Sequence, residues 1–240
     1  MINKAFAIDE NNEADIVRND TLQVIESPEG KIIDFYLINE ITDIKNYLDF
    51  LRQVESARSN DTIRIHINNY GGNVDVAWNI YDALRQSKAD VDVSVEGACA
   101  SAASMIMLAG NSWSIFPHSW VMVHAWSGWI VGKWNEQQAD MEFSKKVREP
   151  LFRDMYKNFL EPEEIDLCLA GKDYYFGSEE TIKRLEKYQA DAVKKQEAIQ
   201  AVAAKYQDIM NKEIEEIMNS DTTPDTEKDE DEKSSKKSKK

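Results

Sequence analysis

The sequence is poor in cysteine, proline and glycine, and it lacks any long apolar run. Its 240 residues include two cysteines, five prolines and nine glycines. Cys99 and Cys168 form no C-x-x-C pair and no histidine-containing zinc spacing, so they predict reduced structural thiols of a cytosolic protein. No window reaches the ~18 consecutive apolar residues of a membrane-spanning helix, and the first residues lack the apolar core of a secretory signal. We therefore expect a cytoplasmic protein that neither crosses nor binds a membrane.

The sequence also contains fewer basic than acidic side chains. There are 29 lysines and arginines against 44 aspartates and glutamates, which gives a formal net charge of −15. Binding to nucleic acid needs clusters of Lys and Arg against the phosphates, so no nucleic-acid partner is expected. The lysines of residues 233–240 alternate with serines at the end of the chain and are typical of a solubilising tail. The length and a hydrophobic fraction of 42% fit one large domain with appendages.

Nucleotide-binding motifs and histidines are scarce as well. Neither G-x-x-x-x-G-K-[ST] nor G-x-G-x-x-G is present, so we expect the chain itself to bind no cofactor. No metal is expected either, because the cysteines and histidines lack zinc-binding spacing. Among the three histidines, His66 lies inside a predicted strand and His118 follows a proline in a turn. His124 ends the apolar run that begins at Trp120. Histidine titrates near neutral pH, so His124 is the best candidate for a general base.

A serine stands at the start of a helix built from very small residues. The alternating strand that ends near Val95 is followed by the run Gly97 to Ser104, and then by an apolar stretch. Free backbone N–H groups and the helix dipole favour negative charge at this point, which suits a nucleophilic Ser101. Close packing and ordinary helix capping explain such a run equally well when it stands alone. Ser104 and Cys99 are the rival nucleophiles.

A pair of glycines follows the preceding strand. Gly71 and Gly72 come after the run Ile63 to Asn68 and before a helical pattern. Such a turn exposes backbone N–H groups and allows another chain to approach closely. Those N–H groups can bind the oxyanion of a tetrahedral intermediate. An ordinary strand-to-helix turn is the alternative reading of the same pattern.

Taken together, these segments resemble the proteolytic subunit of Clp protease, the ClpP family of serine peptidases. The resemblance covers about residues 32–188 and depends on the order and spacing of four motifs. They are residues 68–72 (NNYGG), 97–110 (GACASAASMIMLAG), 121–124 (VMVH) and 172–180 (KDYYFGSEE). Tyr70 replaces the proline of the family's glycine turn, Ala125 and Trp126 replace its Gln-Pro, and Lys172 replaces an arginine linked to ring assembly.

The resemblance implies a Ser-His-Asp triad. It places the nucleophile at Ser101, the general base at His124 and the third member at Asp173, although Asp166 lies nearby. It also implies that the backbone N–H groups of Gly72 and Ala102 form the oxyanion hole. We expect Ser101→Ala to abolish turnover and Ser104→Ala to be tolerated.

The implied fold is α/β: a ClpP/crotonase-like spiral of ββα units with a mostly parallel sheet, a handle helix and an appended C-terminal helix. Strand and helix patterns do alternate through residue 116. We predict an axial or arm-like segment at 1–30 and a protease domain at 31–188, with the handle at about 125–160. An amphipathic helix is expected at 189–219, and a disordered charged tail at 220–240.

The function implied is that of a serine endopeptidase inside a self-compartmentalised homo-oligomeric ring. The same resemblance implies heptameric rings, which can stack in pairs, and protein or peptide substrates. It also implies a separate AAA+ ATPase, which alone uses ATP. Two alternatives stay open. One is a bacteriophage head-maturation protease of ClpP type that works without an ATPase. The other is a non-proteolytic crotonase-like acyl-CoA enzyme, which would not need the triad.

Overall fold

The computed structural model describes residues 16–18, 21–128 and 131–220. Within these residues eight strands form one mixed sheet. They are β1 (Ile16–Arg18), β2 (Leu22–Ser27), β3 (Gly30–Leu37), β4 (Thr62–Asn69), β5 (Asp90–Ala100), β6 (Ser112–Ile115), β7 (Trp120–Val123) and β8 (Tyr174–Gly177). The helices are α1 (Leu48–Ser56), α2 (Val74–Gln86), α3 (Ala102–Met107), α4 (Trp134–Phe143), α5 (Glu149–Tyr156), α6 (Pro162–Leu169) and α7 (Ser178–Ser220).

The centre of the sheet is parallel and its flanks are antiparallel. The order is β1-β2-β3-β4-β5-β7-β8, and β6 also pairs with β5. The strand β5 is long enough to pair with β6 through its first half and with β7 through its second, both in parallel. Helical crossovers α1 and α2 connect β3, β4 and β5, as parallel neighbours require. The predicted α/β class with a mostly parallel sheet is confirmed.

One face of the sheet forms the hydrophobic core. Alternate residues of β3, β4 and β5 are buried, including Ile33, Ile65 and Val93, and they belong to the same core cluster as residues of α1 and α2. Each fully buried aliphatic side chain contributes roughly 1.5–3 kcal/mol. This burial follows directly from the period-two alternation of the sequence.

The other face of these strands carries a polar network. The guanidinium of Arg64 donates to Asp34 at 2.8 Å, and the two ring nitrogens of His66 lie 3.2 Å from Asp34 and 2.7 Å from Glu96. These residues are spaced by two along adjacent strands, so they share the face opposite the apolar one. The ring of Tyr36 stacks on that of His66 at 4.4 Å.

Two predicted boundaries fall inside elements of the structure. The boundary at residue 30 coincides with the start of β3, and β2 before it buries Leu22 and Val24. Residues 22–27 are therefore part of the sheet, because β2 and β3 form an antiparallel hairpin. The boundary at residue 188 lies within α7, which begins at Ser178. Residues 1–15 and the tail 221–240 lie outside the described residues.

The chain divides into two compact units, one ending at Asp191 and one beginning at Ala192. In the second unit, the described residues belong to the distal part of α7. Several of its large apolar side chains are exposed, namely Val193, Val202, Tyr206, Ile209 and Met210. No helix in the described portion of the chain is long and apolar enough to span a membrane.

The predicted handle is an interrupted helix rather than a uniform one. A π-helical turn, Ser144–Arg148, joins α4 to α5. The helix ends at Tyr156, within the predicted handle of about 125–160. Every residue of α4 is at least partly exposed, whereas α5 buries Phe152, Met155 and Tyr156.

Candidate active site

Ser101 occupies a sharp turn between β5 and α3. Its backbone angles are φ 56° and ψ −126°, in a region that residues other than glycine seldom adopt. Two hydrogen bonds fix this turn. The Ser101 N–H donates to the Met122 carbonyl at 2.9 Å, and the Ser101 carbonyl accepts from the Ser104 N–H at 2.9 Å. Ala102 and Ala103 beneath it are buried, which explains the need for small residues. Such backbone strain costs roughly 1–3 kcal/mol and clusters at functional sites.

The structure brings together the three residues predicted as a triad. The Nε2 atom of His124 lies 2.6 Å from the Oγ atom of Ser101, within hydrogen-bond distance. On the other side of the ring, Nδ1 lies 3.7 Å from Oδ1 of Asp173. That separation allows an ion pair but exceeds an ordinary hydrogen bond. Asp173 is 48% exposed, against 23% for His124.

The topology of the sheet explains why Ser101, His124 and Asp173 lie close together. β5 ends at Ala100, just before Ser101, and β7 ends at Val123, just before His124; the two strands are parallel neighbours. Their carboxyl ends therefore lie at the same edge. β8 runs antiparallel to β7 and begins just after Asp173, with Val123 paired to Tyr174. The start of β8 is thus beside the end of β7.

The glycine turn packs directly against the serine. Gly71 and Gly72 have φ values of +101° and +142°. A Cβ atom on Gly71 would lie 2.8 Å from Cβ of Ser101 and 3.0 Å from the nitrogen of Ala102. The Gly71 carbonyl accepts from Ile41 N–H at 2.9 Å, so the N–H of the same trans peptide, that of Gly72, points the opposite way.

The second predicted oxyanion donor is the N–H of Ala102. Ala102 is the first residue of α3, where a helix has no acceptor for its N–H groups. Together with the Gly72 N–H, it gives two backbone donors at the turns beside Ser101. The catalytic and oxyanion-hole roles themselves remain predictions.

The rival nucleophiles are placed differently. Ser104 is fully buried, and its hydroxyl donates to the carbonyl of Ser101 at 2.7 Å. Cys99 is also buried, and desolvation raises the pKa of its thiol far above the usual range, so it stays protonated. Asp166, the rival for the third position, binds Arg153 at 2.6 Å instead.

A small cavity opens beside Ser101 and His124. Its walls are Trp78 and Met105 from α2 and α3, and Trp126, Arg148, Phe152 and Tyr156 from the segment after His124. None of these six residues was predicted from the sequence to belong to the site. Phe152 and Tyr156 fall within the predicted handle of about 125–160, which was the available signal. Among the described residues, no group of three or more His, Cys, Asp or Glu side chains is placed to hold a metal ion.

Comparison with known proteins gives the family. A sequence model of Clp protease matches residues 29–184, well over half of the chain. The chain belongs to the Clp protease family. Its similarity extends to proteins named ATP-dependent Clp protease proteolytic subunit. The one from Porphyromonas gingivalis is 29% identical over 156 residues, covering 64% of this chain and 68% of that protein. The one from Bacteroides fragilis strain ATCC 25285 is 33% identical over 129 residues, covering 53% of this chain and 58% of that protein.

Membership of the Clp protease family confirms two predictions. The fold is that of the Clp proteolytic subunit, and the chain is classed as a serine peptidase. The matched segment contains Ser101, His124 and Asp173. It excludes residues 1–28 and 185–240, so the distal part of α7 has no counterpart in the match.

Proposed function

We propose that this Clp protease family member is an endopeptidase that hydrolyses peptide bonds in proteins with Ser101, His124 and Asp173. The observation that carries the proposal is the 2.6 Å contact between Ser101 Oγ and His124 Nε2 at a strained turn. A hydroxyl is a weak nucleophile unless an adjacent base accepts its proton, and this contact supplies the base.

The reaction proceeds in two halves. Ser101 Oγ attacks the peptide carbonyl carbon while Nε2 of His124 takes the hydroxyl proton. The C–N bond then breaks, the amine leaves with the proton from His124, and an acyl-serine ester remains. Water, deprotonated by His124, attacks the ester, and the proton returns to Ser101 as the carboxylic acid departs.

Two further groups stabilise the charges that develop. The N–H groups of Gly72 and Ala102 bind the oxyanion of each tetrahedral intermediate. Asp173 fixes the ring of His124 and stabilises its positive charge. The 3.7 Å separation has to shorten for a hydrogen bond, and catalytic contacts often tighten when substrate binds.

Assembly into rings is a further part of the proposal. The interrupted handle exposes large apolar side chains, namely Val131, Trp134, Met141, Phe143, Val147 and Leu151. Exposed apolar surface of this kind marks interaction sites, and homo-oligomers with closed symmetry are the commonest assemblies. We propose cytoplasmic homo-oligomeric rings, heptameric as the family resemblance implies. In this proposal a separate ATPase unfolds the substrates; the words ATP-dependent and proteolytic subunit in the relatives' name support a division of labour of this kind.

The crotonase-like alternative is less well supported. An acyl-CoA enzyme can use backbone N–H groups as an oxyanion hole, but it has no need for a serine hydroxyl hydrogen-bonded to histidine. The Ser101 contact with His124 therefore favours the peptidase.

Intact-mass analysis after treatment with a fluorophosphonate probe tests the proposal. We expect one adduct per subunit in the wild type, none in Ser101→Ala, and an adduct in Ser104→Ala as the matched control. Circular dichroism of each variant establishes that it is folded. A folded wild-type protein that forms no adduct would contradict the assignment.

A further inference from the structure

The glycine turn beside Ser101 needs an external constraint to keep a single conformation. Gly71 and Gly72 both adopt positive φ, and two adjacent glycines rotate about their backbone bonds more freely than other residues do. A rotation of the peptide plane between them would turn the Gly72 N–H away from the oxyanion. The groups that fix the peptide planes on either side of Gly71 therefore affect the proposed reaction.

One of those groups is the side-chain amide of Asn69, the last residue of β4. Only 1% of Asn69 is exposed, and both ends of its amide are hydrogen-bonded. The Oδ1 atom accepts from the Gly71 N–H at 2.7 Å, and the Nδ2 atom donates to the carbonyl of Asn39. The bond to Gly71 has the two-residue span of an Asx turn. Because the amide is held at both ends, it fixes the peptide plane between Tyr70 and Gly71.

The second constraint comes from the segment 39–41, to which the amide also binds. The Gly71 carbonyl accepts from the Ile41 N–H at 2.9 Å, which fixes the next peptide plane. Ile41 is buried and forms an isolated bridge with Gly72. Asn69 connects this segment to the turn, since its amide binds one on each side. The turn, the amide and the segment therefore form one closed loop of hydrogen bonds.

We propose that Asn69 is a positioning residue for the oxyanion hole. Its amide prevents rotation of the glycine turn and keeps the Gly72 N–H directed toward the oxyanion beside Ser101. A backbone donor stabilises the transition state best when it is oriented before the reaction begins. Loss of the amide should therefore slow the chemical step and change substrate binding little. This inference rests on the proposed peptidase function and adds a residue that acts through the turn.

The variants Asn69→Ala and Asn69→Ser test the acceptor of the amide directly. Both leave nearly the same space and shorten the side chain away from Asn39, but the serine hydroxyl can still accept from the Gly71 N–H. We expect kcat on a fluorogenic peptide to fall ~10²-fold in Asn69→Ala, the scale of one lost oxyanion donor. Asn69→Ser should be at least ~10-fold more active than Asn69→Ala. KM should change less than ~3-fold in both.

Peptide inhibitors separate the orientation of the donor from damage to the substrate groove. A peptide aldehyde forms a tetrahedral adduct with an active serine and so needs the oxyanion hole, whereas the corresponding peptide alcohol does not. In Asn69→Ala the inhibition constant of the aldehyde should rise ~10²-fold, as kcat falls, and that of the alcohol should stay the same. A purely structural role would weaken both inhibitors alike.

Asn111→Ala is the matched control. Asn111 also accepts a backbone N–H with its Oδ1 atom, that of Val91 at 2.9 Å, but Val91 lies at the opposite end of β5 from Ser101. This variant should lower the free energy of unfolding, measured by urea titration. Its kcat and both inhibition constants should stay near the wild-type values.

Residue-resolved hydrogen exchange of the wild type gives a test that needs no variant. The Gly71 N–H should be protected by its bond to Asn69. The Gly72 N–H should exchange faster in the free enzyme and become protected when the aldehyde binds. A Gly71 N–H that exchanges as fast as that of Gly72 in the free enzyme would contradict the proposal.

The outcomes distinguish this inference from the peptidase proposal. An active wild type whose folded Asn69→Ala variant keeps its kcat would overturn the role of Asn69 alone. The same conclusion follows if Asn69→Ser and Asn69→Ala are both folded and lose activity equally. A wild type that neither hydrolyses peptide nor reacts with a fluorophosphonate would overturn the peptidase proposal and this inference with it.

Discussion

The hydroxyl groups of Ser104 and Tyr156 lie 2.7 Å apart in the interior of the protein. Since Ser104 also donates to the carbonyl oxygen of Ser101 at 2.7 Å, Tyr156 is the donor in their shared hydrogen bond. Burial raises the pKa of Tyr156 far above its usual range, so the phenol stays protonated. A chain of two hydrogen bonds thus connects α5 to the backbone of the candidate nucleophile.

Removing one hydroxyl of this chain should lower stability without removing the nucleophile. In Ser104→Ala the buried phenol of Tyr156 loses its partner, which costs about 1–3 kcal/mol in the free energy of unfolding. Urea titration measures this loss, and fluorophosphonate labelling should persist. The double variant Ser104→Ala, Tyr156→Phe should recover part of the loss, because neither group is then left unsatisfied. A folded Ser104→Ala protein that no longer labels would instead identify Ser104 as the nucleophile.

Asp173→Asn should slow hydrolysis strongly. The amide cannot stabilise the imidazolium and favours the wrong tautomer of His124, so we expect kcat to fall by ~10²–10⁴-fold. Steady-state kinetics on a fluorogenic peptide measures the effect. Asp166→Asn is the matched control and should lose little activity, because Asp166 binds the exposed Arg153. The reverse order of effects would move the third triad position to Asp166.

Gly72→Ala should abolish activity and destabilise the turn. A Cβ atom at this position would lie 2.1 Å from the carbonyl oxygen of Ile41, and φ of +142° is strained for any other L-residue. The backbone must shift, and the proposed oxyanion donor shifts with it. Peptide hydrolysis and urea unfolding report the two effects. Gly177→Ala is the control, since nothing lies within 4 Å of its added Cβ; equal activity of both variants would argue against an oxyanion role for Gly72.

The stability that His66 contributes should decrease as pH rises. The hydrogen bond with Asp34 raises the pKa of His66; burial opposes this and Glu96 reinforces it, so the pKa lies above its ordinary 6.5. The charged form of His66 is therefore favoured in the folded state. Its contribution to the free energy of unfolding is fully present below pH 6.5 and is lost as the pH rises through the raised pKa. Urea titrations of wild type and His66→Gln at about pH 6 and about pH 9 should differ more at the lower pH. A difference that is independent of pH would exclude the charged network.

Much of the fold was predictable because it follows from local patterns. The alternation of apolar and polar residues predicts strands β4 and β5, with Gly72 in the turn after β4 and Ser101 just after β5. Because the two strands are parallel neighbours, these ends lie at the same edge of the sheet. His124 followed from the end of β7 in the same way.

The cavity walls were less predictable, since they come from a distant helix. Nothing in the sequence near Arg148 indicates that its side chain lies beside Ser101. The handle itself was predicted from the family resemblance, which gives no sign of the interruption at Ser144–Arg148. The start of α7 at Ser178 was also missed, because β8 is only four residues long and leads directly into it.

The π-helical turn has a consequence for how the handle can vary. Each α-helical residue advances the side-chain direction by about 100°, so one additional residue in a turn rotates everything after it by that angle. The π-helical turn therefore sets the direction in which Phe152 and Tyr156 of α5 are buried, whereas α4 before it has no buried residue. Deleting one residue from Ser144–Arg148 would reset the angular phase of α5 while leaving the strands and the serine turn unchanged in sequence. Such a deletion would therefore change two surfaces of α5 together: the cavity wall, which Phe152 and Tyr156 form, and the outer side, where Leu151 is exposed.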